Sequence, residues 1–253
     1  LMLSNGNKIF ENTFINNDMV GMKIASSSNN NVSNNYVSKS AYGIKLEASN
    51  NNFVIGNTIS ETSYAIYQIS TSYNDIDKNK ASGKAVGIYS LNSNYADIRD
   101  NIVSGSAYGI ELYGGASNNV LRNTVSQSSY GIYLAFSQTN VVDNNLVSNN
   151  DWGIQFYDSD SNTFTYNTLS YNTYGIYLVS ASTGSSIYKN NFLKNTMQVF
   201  QHGDSPNTWY VRVSGKNYGN HWSDYPGQDT NGDGVGDYPP DLLPYWGVDN
   251  YPL

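Results

Sequence analysis

Apolar residues return along this chain with a period of 22. Gly21, Gly43, Ala65, Gly87, Gly109, Gly131, Gly153 and Gly175 mark the period, each followed by an apolar side chain: Met22, Ile44, Ile66, Ile88, Ile110, Ile132, Ile154 and Ile176. A second apolar column reads Val32, Val54, Ile76, Ile98, Val120, Val142 and Phe164, and a third reads Ile15, Val37, Ile59, Ala81, Val103, Val125, Val147 and Leu169. Three such columns at one period predict three short strands per turn of a solenoid. Within each unit the alternation has period two, as in Ile110-Glu111-Leu112 and Ile132-Tyr133-Leu134, which is the signature of strand and not of helix. β-Branched and aromatic residues dominate, as strands prefer, and the Leu-x-x-Leu-x-Leu pattern of a leucine-rich repeat is missing. The expected fold is all-β: a right-handed parallel β-helix of about eight to nine 22-residue coils. At ~4.8 Å per coil it makes a rod on the order of 40 Å long.

Polar columns run beside the apolar ones. Asn35, Asn57, Asn79, Asn101, Asn123, Asn145 and Asn167 form one; Asn30, Asn52, Asn74, Asn118, Asn140 and Asn162 form another, broken by Ala96; Ser38, Ser60, Ser82, Ser104, Ser126, Ser148 and Ser170 form a third. Amides stacked at the strand spacing can hydrogen-bond up and down a column, and Asn tolerates left-handed backbone at bends. The register slips in one place. Gln68 and Ser90 stand where Leu is expected and the apolar residue follows one position later, at Ile69 and Leu91, which predicts a bulge shared by two adjacent coils. After Gly175 the repeat gains a residue near Gly184-Ser185 and fades through Asn190, Phe192 and Val199.

Beyond residue 205 the composition changes. All six prolines lie there, with Trp209, Trp222 and Trp246. The division is therefore a β-helix over 1–201 and an irregular, aromatic and Pro-rich cap over 202–253. A cap is needed because the last coil presents open strand edges, which invite pairing with other chains. Within the cap, Asp229, Asn231, Asp233 and Asp237 take positions 1, 3, 5 and 9 of a loop, with Gly234 at position 6 and the Val235 carbonyl at position 7. Hard oxygen ligands on a tight Gly turn suit Ca²⁺. The bidentate Glu of position 12 is replaced by Pro240, so Asp241, Asp224 or Asp249 would complete the shell.

The repeated Tyr-Gly-Ile-Tyr-Leu and Asn-Asn-x-Val-x-x-Asn phrases resemble the coils of the NosD-like family, whose repeats are also known as carbohydrate-binding and sugar-hydrolase repeats. The ending, Asn217-Tyr218-Gly219-Asn220-His221-Trp222-Ser223-Asp224-Tyr225, then the Asp/Asn/Gly loop, then Asp249-Asn250-Tyr251-Pro252-Leu253, looks like the tail of NosD-like cell-surface proteins of archaea. The resemblance implies a parallel β-helix at the cell surface, and the family name implies copper delivery. Copper prefers Cys, Met and His; here there is no Cys, and the other such donors are His202, His221, Met2, Met19, Met22 and Met197.

Net charge is -7, which leaves no basic footprint for nucleic acid. No apolar run is long enough to span a membrane. The chain opens inside a repeat-like pattern at Leu1-Met2-Leu3-Ser4, as expected of a trimmed or processed product. Asn31-Val32-Ser33 is a sequon for glycosylation in a secreted protein.

Candidate chemistry sits on outward columns. Lys23, Lys45, Tyr67, Tyr89, Glu111, Tyr133, Gln155 and Tyr177 lie between the two core positions of one strand. Tyr67, Tyr89, Tyr133 and Tyr177 form a face on which sugar rings could lie, or stack for stability alone. The neighbouring column, Tyr42, Tyr64, Tyr108, Tyr130, Trp152 and Tyr174, is read as packing. Glycosidic hydrolysis needs two carboxylates about 5–10 Å apart. Asp75 with Asp97, one coil apart, is the best pair and Asp158 with Asp160 the next, neither flanked by an evident Arg or third acid, although Lys78 and Arg99 are near in sequence. The reading is thus a non-catalytic extracellular or cell-surface scaffold (a sheath, adhesin or filament component). Its expected partners are cell-surface polysaccharide or identical subunits, and its expected cofactor is Ca²⁺. A polysaccharide-active lyase or glycosidase, or a copper-binding accessory protein, stands as the alternative.

Overall fold

The computed structural model describes residues 1–180, 182–202, 206–225, 227–228, 230 and 251. These form a right-handed parallel β-helix of about nine turns. Each coil makes three strands. The first sheet stacks nine three-residue strands, from Lys8–Phe10 through Asn31–Ser33 to Ser186–Tyr188. The second begins with Thr13–Ile15 and Tyr36–Ser38 and reaches Asn191–Leu193. The third, of mostly six-residue strands, runs from Val20–Ala25 and Tyr42–Glu47 to Met197–Gln201. In two coils the second and third strands join as Thr58–Ile69 and Lys80–Leu91. No helix occurs among the described residues.

The core is what the apolar columns require. Ile44, Ile66, Ile88, Ile110, Ile132, Ile154 and Ile176 are fully buried, as are Val54, Ile76, Ile98, Val120, Val142 and Phe164 on the first sheet. Each such side chain removed from water contributes roughly 1.5–3 kcal/mol. The column glycine is there for space. A Cβ on Gly109 would lie 2.5 Å from the Gly131 carbonyl oxygen and collide with Val125.

Asparagine holds the bends. In the longest ladder Asn101 donates from its backbone N and its Nδ2 to Asn123 Oδ1, both at 2.9 Å, and Nδ2 also reaches Ile76 O at 2.8 Å. The same arrangement starts at Asn12 and passes beyond the seven expected members to Asn190 and Asn220. The ladder amides do not themselves adopt left-handed backbone. The residue before each one from Asn12 to Asn190 does, whatever its type: Lys78 (φ 52°), Asp100 (54°), Arg122 (52°) and Tyr166 (54°) precede ladder positions. Such a conformation costs a non-Gly residue roughly 1–2 kcal/mol, and the amide hydrogen bonds on either side hold it in place.

Three expectations about register are corrected. First, no bulge occurs at Gln68 and Ser90; Ser90 pairs with Gln68 and Leu91 with Ile69 in unbroken register. Both polar side chains point inward and are buried, and Gln68 Nε2 donates to Ser90 Oγ at 2.8 Å. Gln68 Oε1 accepts from Thr71 Oγ1 and from Asn74 Nδ2, each at 3.2 Å. Asn74 needs that acceptor because the next ladder position is Ala96. A missing amide in the bend is thus replaced by a polar residue from the core. The register shifts present in these coils flank Gly83. Second, Phe14 and not Ile15 pairs with Val37, leaving Ile15 exposed. With Ile15 opposite Ser38 and Val20 opposite Tyr42, the first bend holds residues 16–19 where the next holds 39–41. Third, the late extra residue enters after Val179 and before Ser182, since Tyr157 pairs with Val179 at an offset of 22 while Ser159 N reaches Ser182 Oγ at an offset of 23.

At the C-terminal end the stack is closed by chain from beyond residue 202. His221–Trp222 pairs in parallel with Asn191–Leu193, and Trp222 lies flat on Phe192 at 4.3 Å. Asn220 Nδ2 ends the ladder on the carbonyls of Ile187 (2.9 Å) and Trp209 (3.1 Å). A hairpin of Val211–Val213 and Lys216–Tyr218 stands beside it.

Candidate functional site

The third sheet carries an aromatic face. Tyr42 and Tyr64 stack at 5.2 Å, Tyr108 and Tyr130 at 4.6 Å, Tyr130 and Trp152 at 4.5 Å, and Trp152 and Tyr174 at 6.3 Å, all within 14° of parallel. These rings cover one another. The outward column is set across them: Tyr67 meets Tyr64 at 87°, Tyr133 meets Tyr130 at 46° and Tyr177 meets Tyr174 at 74°. Tyr67, Tyr89, Tyr133 and Tyr177 are all half-buried. Phe200, which sequence periodicity does not reach, extends the column by stacking on Tyr177 at 4.6 Å. Burial raises the pKa of the Tyr67, Tyr89 and Tyr177 hydroxyls and pushes that of Tyr133 up to about 12, so all four stay protonated hydrogen-bonding groups.

Two polar residues interrupt this column. Glu111 pairs with Tyr89 on one side and Tyr133 on the other; Gln155 pairs with Tyr133 and Tyr177. Each is only 9% exposed. Burial alone pushes the Glu111 carboxyl up to about 7, with no cation or hydrogen bond opposing it. Gln155 Oε1 is buried without a partner. Besides Glu61, in the second-strand half of Thr58–Ile69, the other carboxylate on these strands among the described residues is Glu47. It is three coils away and is held by Lys23 (2.9 Å) and Lys45 (3.1 Å). Three coils are ~14 Å, too far for the paired carboxylates of glycoside hydrolysis.

Asp75 and Asp97 lie elsewhere, on adjacent strands of the first sheet in direct register. The expectation that no Arg or third acid flanks them is corrected. Arg99 Nη2 lies 2.6 Å from Asp75 Oδ2, its Nη1 3.8 Å from Asp97 Oδ2 and its Nε 3.8 Å from Asp77 Oδ2. Strand alternation puts Arg99 on the same face as these acids, one coil from Asp77. Burial raises the Asp75 carboxyl, with Arg99 opposing that shift and the charges of Asp77 and Asp97 adding to it. Asp97 also accepts from Asn119 Nδ2 at 2.7 Å. A guanidinium filling the space between the carboxylates makes this an ion network. Among the described residues Asp158 forms no ion pair, and Asp160 Oδ1 is engaged by Thr183 N at 2.7 Å.

The calcium-type residues Asp229, Asn231, Asp233, Val235 and Asp237 lie outside the described residues. Among the described residues no cluster of three or more His, Asp or Glu is arranged to hold a metal ion, and no helix is long and apolar enough to cross a membrane.

With this geometry in view, comparison with known proteins defines the class. Residues 1–125 match the model of the right-handed β-helix region, and residues 70–227 match that of the periplasmic copper-binding protein NosD. The chain belongs to the NosD family. A search of curated proteins finds no match. Among solved structures it is similar to a variant of the periplasmic alginate epimerase AlgG, with a TM-score of 0.61, 16% identity, and coverage of 78% of this chain and 65% of that one. It is also similar to the enzymatically active domain of bacteriophage CBA120 tailspike protein 2 (TM-score 0.56, 12% identity, 80% and 37% covered). A third similarity is to the catalytic domain of a GH87 α-1,3-glucanase (0.55, 16%, 77% and 50%). The chain spans between 37% and 65% of the length of these three, and at such identities they show the fold alone.

Copper does not fit the residues present. Met2, Met19 and Met22 belong to the first coil and its approach, while His202 and His221 lie at the opposite end of the stack. Met22 is buried in the core. Met197, in the last strand of the third sheet, lies at the His end, so the six soft donors are split between the two ends of the stack.

Proposed function

We propose that this protein is an extracytoplasmic, non-catalytic β-helix scaffold that binds polysaccharide on the face of Tyr67, Tyr89, Tyr133 and Tyr177. The observation that carries this reading is an aromatic sheet face with buried, unpartnered polar groups in it and, among the described residues, no second carboxylate paired with Glu111. Aromatic rings with a few placed polar groups are how proteins hold apolar ring faces and hydroxyls together. An extracytoplasmic setting agrees with the family's periplasmic description and with a chain lacking cysteine. Calcium in the Asp229–Asp237 loop belongs to the same proposal. It rests on ligand spacing, whereas association of identical subunits rests on the pairing that unpaired strand edges invite, which the His221–Trp222 strand limits at the C-terminal end.

A glycan array with purified protein, paired with a reducing-sugar assay on pectin, alginate and cell-wall polymers, tests the reading. Binding without turnover is expected. Turnover abolished by Asp75→Ala or Asp97→Ala would establish the enzyme alternative instead. Electron microscopy of the same material distinguishes single rods from filaments.

A further inference from the structure

The outward column of the third sheet alternates in a way that ring stacking for stability does not require. Over five successive coils it reads Tyr89, Glu111, Tyr133, Gln155, Tyr177. The two polar members are two coils apart, roughly 10 Å along the axis. Both are nine-tenths covered by their surroundings. A buried polar group left unpaired costs stability, on the order of 1–3 kcal/mol, and so calls for a functional reason such as a bound partner.

Resting on the polysaccharide-binding reading, we propose that Glu111 and Gln155 are paired acceptors for the hydroxyl groups of an uncharged, extended polysaccharide laid along the helix axis. One sugar lies per coil, between and over Tyr89, Tyr133 and Tyr177. The chemistry of the two groups selects the substrate class. Gln155 Oε1 is an unpartnered acceptor, and an ionised Glu111 has only acceptor oxygens. A neutral sugar brings hydroxyl donors to both. A uronate brings a carboxylate, which donates nothing and is repelled by Glu111. The lysines of this column, Lys23 and Lys45, sit at its other end and are engaged by Glu47. The residues facing Glu111 from its own and neighbouring strands are Tyr89, Tyr108 and Tyr133. The spacing agrees as well. A pyranose in an extended chain advances by about one strand spacing, so every second sugar meets a polar position and the sugars between meet tyrosine. Alternate sugars in such a chain are turned over, which presents their hydroxyls to the face at that doubled interval.

The test is calorimetric titration of the full chain with cellohexaose and mannohexaose as neutral probes and hexagalacturonate as the charged one. The set is wild type, Glu111→Gln, Glu111→Ala, Gln155→Ala and Tyr133→Ala, each with its melting temperature checked. The expected result is binding of at least one neutral hexasaccharide, weakened about tenfold by Glu111→Ala and by Gln155→Ala, with hexagalacturonate gaining affinity in Glu111→Gln. Neutral binding unchanged in both alanine variants, or hexagalacturonate bound by wild type as tightly as the neutral probes, would overturn this assignment. If Tyr133→Ala then abolishes that binding, the aromatic-face reading survives the loss. Binding of none of the probes, nor of any glycan on the array, overturns both.

Discussion

Replacing Glu111 by Gln should stabilise the protein, and by an amount that depends on pH in a defined way. The folded carboxyl is pushed from its ordinary 4.5 up to about 7 by burial. An acid whose folded pKa is raised keeps its proton in the native state while the unfolded chain has already lost it. Stability is therefore full below the unfolded value, falls as pH rises from about 4.5 to about 7, and is flat above. At 1.36 kcal/mol per unit the loss is about 3 kcal/mol, an upper figure because the side chain is 9% exposed and water can reach it. The charged or titratable neighbours are tyrosines held protonated, so they do not mask the effect. Gln has the shape of the protonated acid and cannot ionise. Urea unfolding midpoints for wild type and Glu111→Gln, taken from pH 4 to 9, should coincide at the acid end and separate by about 2–3 kcal/mol in favour of Gln above pH 7. All other groups cancel in the difference. Parallel curves across the whole range would mean the carboxylate is hydrated or paired, and the buried-acid account of this face would be wrong.

Further outcomes follow from the ladders and the loop. Asn123→Ala strands the N and Nδ2 donors of Asn101 and the carbonyl of Ile98, and should cost about 4 kcal/mol by denaturant melting. Gln68→Leu restores the apolar pattern of the column yet removes the acceptor of Thr71 and Asn74; it should destabilise by about 1–3 kcal/mol. Adding Ala96→Asn, which returns an amide to the ladder opposite Asn74, should recover most of that loss. Additive effects in this double-mutant cycle would refute the coupling. Calcium should raise the melting temperature through binding to the native state, with Asp233→Ala erasing the gain. A melting temperature indifferent to calcium and to chelator would reduce the loop to a turn.

The chain by itself determined the architecture. A 22-residue period in three apolar columns has one economical solution, because equivalent side chains must stack to leave water, and Ile110 over Ile132 is that solution. The Asn ladders were legible for the same reason: identical polar residues at one slot are pointless unless each bonds the next. The aromatic column was legible as a list of residues, Glu111 and Gln155 included. Tertiary structure alone decided what the period does not carry. Whether Gln68 points in or slips outward depended on Ala96, 28 positions away in sequence and in the next coil of the stack. That Arg99 neutralises Asp75 depended on which strands are neighbours. That Glu111 is an uncompensated acid depended on how deeply tyrosines from flanking coils bury it. Periodicity reports which residues share a column, whereas burial and charge are sums over neighbours from several columns at once.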